Sequence, residues 1–228
     1  MNNYGEIAEP TSRSAWEDWD DVPVQNGTSK LQWHQKKPDP EIIESFLIFE
    51  GQYLYDCIFR GGKDNLELIN CVPEVHLHMY RIISYNKYIV VIRDYNLLQT
   101  NDLLEFLKPL LIQAHDVMVV QTKPLADYMS LEPLGNQNSV IRTVVTTKPG
   151  AAADTPYPRL EQPNMITGVA AGAISLREHL GESAIALICY VNAPENYQVD
   201  EMDALLRQLN IDPVPPRPSN ALNSNLYI

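Results

Sequence analysis

Two stretches, "DVMVVQT" (116–122) and "SAIALICYV" (183–191), are apolar runs of strand length with almost no polar alternation. A strand with one face in water alternates apolar and polar residues, whereas a run without a polar side has to be covered on both faces. "SVIRTVVTT" (139–147) reads as a third such strand, and helical patterns fall between these runs. In "NDLLEFLKPLLIQA", opened by Asn101, Leu103, Leu104, Leu107, Leu110 and Leu111 recur at helical spacing. Asn101 is placed as a helix cap, with Asp102 and Glu105 suited to the positive end. Pro109 predicts a kink or an ending within that run. "NMITGVAAGAISLREHL" reads as an apolar helix whose Gly168, Ala171 and Gly172 permit close packing, and "DEMDALLRQL" as a short one. The fold class expected is therefore α/β, a mostly parallel central sheet with helices on both faces.

Earlier in the chain, "SFLIFEG" and "YLYDCIFRG" read as a first pair of strands. "VHLHMYRII" and "KYIVVIRDY", with a turn near Asn86, read as a second pair. Together they predict antiparallel additions at one edge of the sheet. Residues 1–40 read as a flexible acidic leader, in which Trp16 and Trp19 sit among Glu17, Asp18, Asp20 and Asp21. Residues 41–212 form the single α/β domain. Residues 213–228 form a flexible tail that Pro213, Pro215, Pro216 and Pro218 keep from being helical. Thirteen residues of such chain span roughly 40 Å at about 3 Å each.

A net charge of −12, from 17 basic and 29 acidic residues, argues against nucleic acid or an anionic membrane as partner, since both select Lys and Arg clusters. No stretch approaches the apolar length of a membrane span, and "MNNYGEIAEP" lacks the pattern of a signal peptide. Cys57, Cys71 and Cys189 are odd in number and set in apolar surroundings, which predicts buried free thiols in a reducing compartment. The expected location is the cytosol, with the nucleus open.

Catalytic constellations are weak throughout. Neither phosphate-loop pattern occurs, and there is no Gly-x-Ser-x-Gly elbow. His76 and His78 share a face of an expected strand, but two ligands do not make a metal site. Cys189 lies in an apolar run that suppresses thiolate formation. His115 and Asp116, at a helix-to-strand junction, can orient each other but more simply cap or face solvent. No enzyme, cofactor or metal is expected.

The chain ends "SNLYI", a hydrophobe, a tyrosine and a free position after a polar run. Together with "LEQPNMITGVAAGAI" (160–174) and the apolar strand ending in Cys189-Tyr190, this resembles the proteasome assembly chaperone 1 family. Longer members carry a Lys-rich helical segment before the tail, where this chain is short and proline-rich. The resemblance implies a non-enzymatic chaperone that pairs with proteasome assembly chaperone 2, a related subunit. The heterodimer would sit on the outer face of the 20S α-subunit ring. Leu226, Tyr227 and Ile228 would then dock in a pocket between neighbouring α subunits, with the Ile228 carboxylate meeting a lysine.

The residues suit such a plug. Tyr227 can bury about 150–250 Å² of surface, Leu226 contributes about 1.5–3 kcal/mol, and a charge-assisted bond to the carboxylate adds about 1.5–3 kcal/mol. Association costs on the order of 4–15 kcal/mol, so the plug needs a second surface alongside it. The rival reading of the same residues is a ligand for PDZ-type domains, in which Ile228 anchors and Tyr227 points away. Tyr227→Ala separates the two.

Overall fold

The computed structural model describes residues 31–35, 43–61, 65–82, 87–130, 134, 137–148, 150, 155–192 and 200–211. In chain order the elements are β1 (Ile43–Glu50), α1 (Gln52–Gly61), β2 (Leu66–Val72), β3 (Leu77–Ile82), β4 (Lys87–Ile92), α2 (Thr100–Gln113), β5 (Ala114–Pro124), β6 (Ser139–Val145), α3 (Gly168–His179), β7 (Ala184–Val191) and α4 (Asp200–Gln208). The strands form one seven-stranded sheet in the order β2-β3-β4-β1-β5-β7-β6. β4, β1, β5 and β7 run parallel at its centre. The β2–β3 hairpin adds antiparallel at one edge and β6 at the other.

Side chains of the central strands alternate between two cores. Phe46, Ile48, Val90, Val117, Val119, Ala186 and Ile188 meet α2 and α3, while Leu47, Phe49, Val91, Val120, Leu187 and Cys189 meet α1 and α4. All eight residues of β7 are buried, as its unbroken apolar sequence requires. The α/β architecture expected from the sequence is the one observed.

Several local expectations are corrected. Residues 53–61 form a helix rather than a strand: Tyr53, Leu54, Cys57 and Ile58 are the buried positions, which is helical spacing, while Tyr55 and Phe59 flank them. β2 had no counterpart in the sequence reading, because Glu67 and Asn70 break its pattern and a bulge at 68–70 shifts its register. Asn101 does not cap α2. A 3-10 turn over Leu97–Gln99 precedes the helix, and Asn96 caps that turn in a reciprocal box with Gln99. Helix α2 continues through Pro109 to Gln113: Pro109 is exposed, and Leu103, Leu107, Leu110 and Leu111 bury the opposite side on both flanks of it. Residues 31–35, placed in the leader by sequence, pack on the domain. Leu31 and Trp33 lie against its core, Trp33 meets Phe106 at 4.6 Å, and the His34 amide donates to the Cys71 carbonyl.

Arg177 is 1% exposed and forms no ion pair among the described residues. Its guanidinium donates to the carbonyls of Leu111 and Ala114 at the carboxyl end of α2, to His115, and twice to Ser183. The negative end of a helix and a ring of carbonyls replace a carboxylate, and burial pushes its pKa down without discharging it.

Candidate functional site

The expected docking residues Leu226, Tyr227 and Ile228 lie outside the described residues. The other residues that carry the resemblance are described, and they converge. Leu160 to Thr167 form a strap that starts beside Thr143 on the outer edge of β6 and reaches the carboxyl end of β5. It is fixed at one end by backbone bonds from Thr143 to Pro158 and from Leu160 to Thr143. Arg142 on β6 grips Glu161 through Nε at 2.9 Å and through a second nitrogen at 3.3 Å. Tyr128 donates to the same carboxylate, and its ring packs on Tyr190 of β7 at 4.9 Å. Burial works against the charged Glu161, but the bonds from Arg142 and Tyr128 outweigh it and hold its pKa below the ordinary carboxylate value. Asn164 exchanges two bonds with the Met129 backbone, its Oδ1 accepting from the amide and its Nδ2 donating to the carbonyl. Glu161, Asn164 and Tyr190 are thus parts of one construction that sequence order keeps up to 29 positions apart.

Beside the strap, α3 begins over the ends of β1 and β5. Glu50, the last residue of β1, accepts from the Ala170 amide at 3.0 Å and from the Tyr95 hydroxyl. Tyr95 in turn accepts from the Val169 amide at 2.8 Å. A carboxyl group and a tyrosine thereby satisfy the first free amides of the helix. Glu50 is buried with no cation bonded to it among the described residues, and desolvation raises its pKa although the bonds from Tyr95, Gln121 and Ala170 oppose the rise. Gln121 on β5 donates to the Thr167 carbonyl, and Lys123 donates to that of Met165.

This place has topological meaning. From β1 the chain proceeds to the β4 side of the sheet and from β5 to the β7 side, so the carboxyl ends of β1 and β5 flank a switch point. Open α/β sheets use such a crevice for ligands. Here it is filled. Gly168, at φ +69°, has no space for a methyl group: a Cβ would stand 2.2 Å from the Tyr95 hydroxyl and 2.5 Å from Glu50. This end of the sheet also presents large hydrophobes to solvent. Leu98 is 88% exposed and Met165 75%, with Leu97 and Met129 also exposed.

The remaining candidates do not assemble into chemistry. Asp116 takes the His115 ring on one oxygen and the Ser183 hydroxyl on the other, which separates the imidazole from the hydroxyl it would have to activate. Burial raises the Cys189 pKa, so its thiol stays protonated. Cys57 is likewise a buried thiol outside any disulfide, while Cys71 is half-exposed. His76 lies outside β3 in a left-handed turn and pairs with Asp94, so it does not share the strand face of His78. Among the described residues, no three His, Cys, Asp or Glu side chains gather as a metal set, and no helix is long and apolar enough to cross a membrane. Sequence reading missed Glu50, Tyr95, Tyr128 and Arg142. Glu50 alone left a trace, a carboxylate closing an apolar strand just before a glycine.

No family model matches the chain, and neither does any curated protein. Solved structures do. A Mycobacterium tuberculosis protein of unknown function is similar with a TM-score of 0.53 at 11% identity, over 86% of this chain and 79% of that one. Pyrococcus furiosus PbaA, described as an archaeal homolog of proteasome-assembly chaperone, gives 0.49 at 13% identity over 75% and 79%. Pyrococcus furiosus PbaB, described as an archaeal proteasome activator, gives 0.43 at 10% over 76% and 96%. What the chain has in common with the Mycobacterium tuberculosis protein is its fold.

Proposed function

We propose that this protein is a non-enzymatic chaperone of 20S proteasome assembly. It works as a heterodimer with a related chaperone subunit, proteasome assembly chaperone 2, on the α-subunit ring. Leu226, Tyr227 and Ile228 dock between α subunits, and the cytosol, with the nucleus open, is the compartment. The observation that carries this reading is the closed switch-point crevice. Where an α/β enzyme would hold substrate, Glu50, Tyr95 and Gly168 clamp α3 in place, and exposed Leu and Met side chains face outwards. That arrangement suits contact with another protein better than turnover of a small molecule. The convergence of Glu161, Asn164 and Tyr190 gives the resemblance a physical basis, since these residues build the same end of the sheet. The description of PbaA is in keeping with it.

The test is capture of purified α subunits and of the related chaperone by the full chain and by a chain lacking Leu226–Ile228. The full chain is expected to hold both, and the shortened chain to hold α subunits at least tenfold more weakly while keeping the chaperone partner. Capture of neither by the full chain would overturn the reading.

A further inference from the structure

The β2–β3 hairpin is covered unequally. On the side of α2 and α3, Leu31 and Trp33 lie over it and complete the core with Val72, Leu77 and Met79. On the other side α1 packs over β1, β4 and β5, and its flank reaches only part of the hairpin. Leu68, His78 and Tyr80 stand on that side of the hairpin, with Tyr55 and Phe59 of α1 leaning towards them. The rings form a continuous sheet of contacts. Tyr55 stacks on Phe59 at 5.5 Å, His78 meets Tyr55 at 5.5 Å and Phe59 at 5.9 Å, and Tyr80 follows at 6.3 Å. Leu68 sits directly across from Tyr80 in the ladder. Despite these contacts Phe59 is 51% exposed and Leu68 54%.

Among the described residues one cation lies against these rings, with Asp56 and Asp94 as the nearby carboxylates. The Arg93 guanidinium lies 5.9 Å from the centre of the Tyr55 ring. Among the described residues it has no carboxylate partner, because the neighbouring Asp94 pairs with His76 at 3.0 Å. Among the described residues its Nε is buried without an acceptor, and the Nδ1 of His78 is buried without a partner as well. Burial lowers the His78 pKa, so the imidazole is neutral near pH 7 and adds no second charge.

Aromatic rings, an arginine with no carboxylate partner among the described residues, and half-exposed large hydrophobes make up the side-chain mixture that concentrates binding energy at protein interfaces. We propose that the face formed by Tyr55, Phe59, Leu68, His78 and Arg93 docks an acidic peptide segment. A large apolar or aromatic side chain of the partner lies against Phe59 and Leu68, and an adjacent carboxylate takes the free hydrogen bonds of Arg93. Charge decides the occupant. A guanidinium held against a ring keeps its outer N–H groups available to a carboxylate, and a basic segment would meet it with like charge. This face uses none of the residues assigned to the tail plug or the strap, and it does not depend on the function proposed above.

The experiment measures fluorescence anisotropy of two labelled peptides, Glu-Glu-Phe-Glu-Leu and Lys-Lys-Phe-Lys-Leu, titrated with the full chain. The acidic peptide is expected to bind at least tenfold more tightly than the basic one. Phe59→Ser together with Leu68→Ser should weaken it at least fivefold, and Arg93→Gln should do the same. Both apolar positions are half in water, so the melting temperature reports whether the fold is kept. Arg93→Lys serves as a second variant that keeps the charge, and it should retain more affinity than Arg93→Gln. Equal affinity for the two peptides, or unchanged affinity in the folded variants, would overturn the proposal. So would concentration-dependent self-association that Leu68→Ser abolishes, since the occupant would then be a second copy of this chain.

Discussion

Glu50 and Arg177 are both buried ionisable groups, and the fold treats them differently. Arg177 stays charged because four residues supply carbonyls to its donors. Glu50 has bonds from Tyr95 and Ala170 but, among the described residues, no opposite charge bonded to it, and desolvation remains the larger effect on its pKa. A carboxyl whose folded pKa is raised binds its proton more tightly in the folded chain than in the unfolded one. Its favourable contribution is therefore complete below the unfolded value and is lost as pH rises through the folded value. Glu50→Gln removes that dependence while keeping one acceptor for the Ala170 amide. The melting temperature of the variant relative to wild type should rise across that window and then level off. Thermal melts of both proteins from pH 4 to 8 check this, and a flat difference would show that the charged form carries no penalty. Glu161 has the opposite sign, since its lowered pKa places its contribution above the unfolded value and loses it in acid.

At the scale of elements, α2 and α3 pack closely because Gly172 leaves room for Leu104. A Cβ at Gly172 would stand 2.0 Å from one Leu104 methyl carbon and 2.9 Å from its Cγ. Gly172→Val should cost about 1–3 kcal/mol through overpacking, and combining it with Leu104→Ala should recover part of that loss. Urea denaturation of the two single variants and the double variant measures the coupling. Small residues in "GVAAGAI" announced this contact, and they do lie in a helix, but it begins at Gly168, and residues 164–167, read as its first turn, belong to the strap. The apolar strands were legible for the same reason: β5 and β7 have no polar face to hide. Residues 53–61 were not, because Tyr53, Tyr55 and Phe59 have the aromatic character of strands while only their burial pattern is helical. Nor could the strap be read from spacing. Its partners Arg142, Tyr128 and Tyr190 are joined by tertiary packing, and an isolated Arg or Tyr in a strand gives no hint of what it will meet.

For the whole molecule, the position of β7 matters most. The last strand in the sequence lies between β5 and β6, and it provides the pairing that ties β6 to the sheet. A chain stopped just before Ala184 should not behave as a smaller stable domain. It would leave one side of β5 open, with Val117, Val119 and Val120 losing cover, and β6 without its ladder. Expressed alone, residues 1–183 should be found in inclusion bodies or as aggregates by light scattering, and a monomeric fragment with a sharp melt would refute this. The same topology has a meaning for synthesis. As the chain leaves the ribosome, β1, β4 and β5 can meet early, but the sheet stays divided until β7 has emerged. For most of translation the nascent protein carries an open, sticky strand, and a pause or premature stop in that interval leaves it in the state most prone to pair with the wrong neighbour.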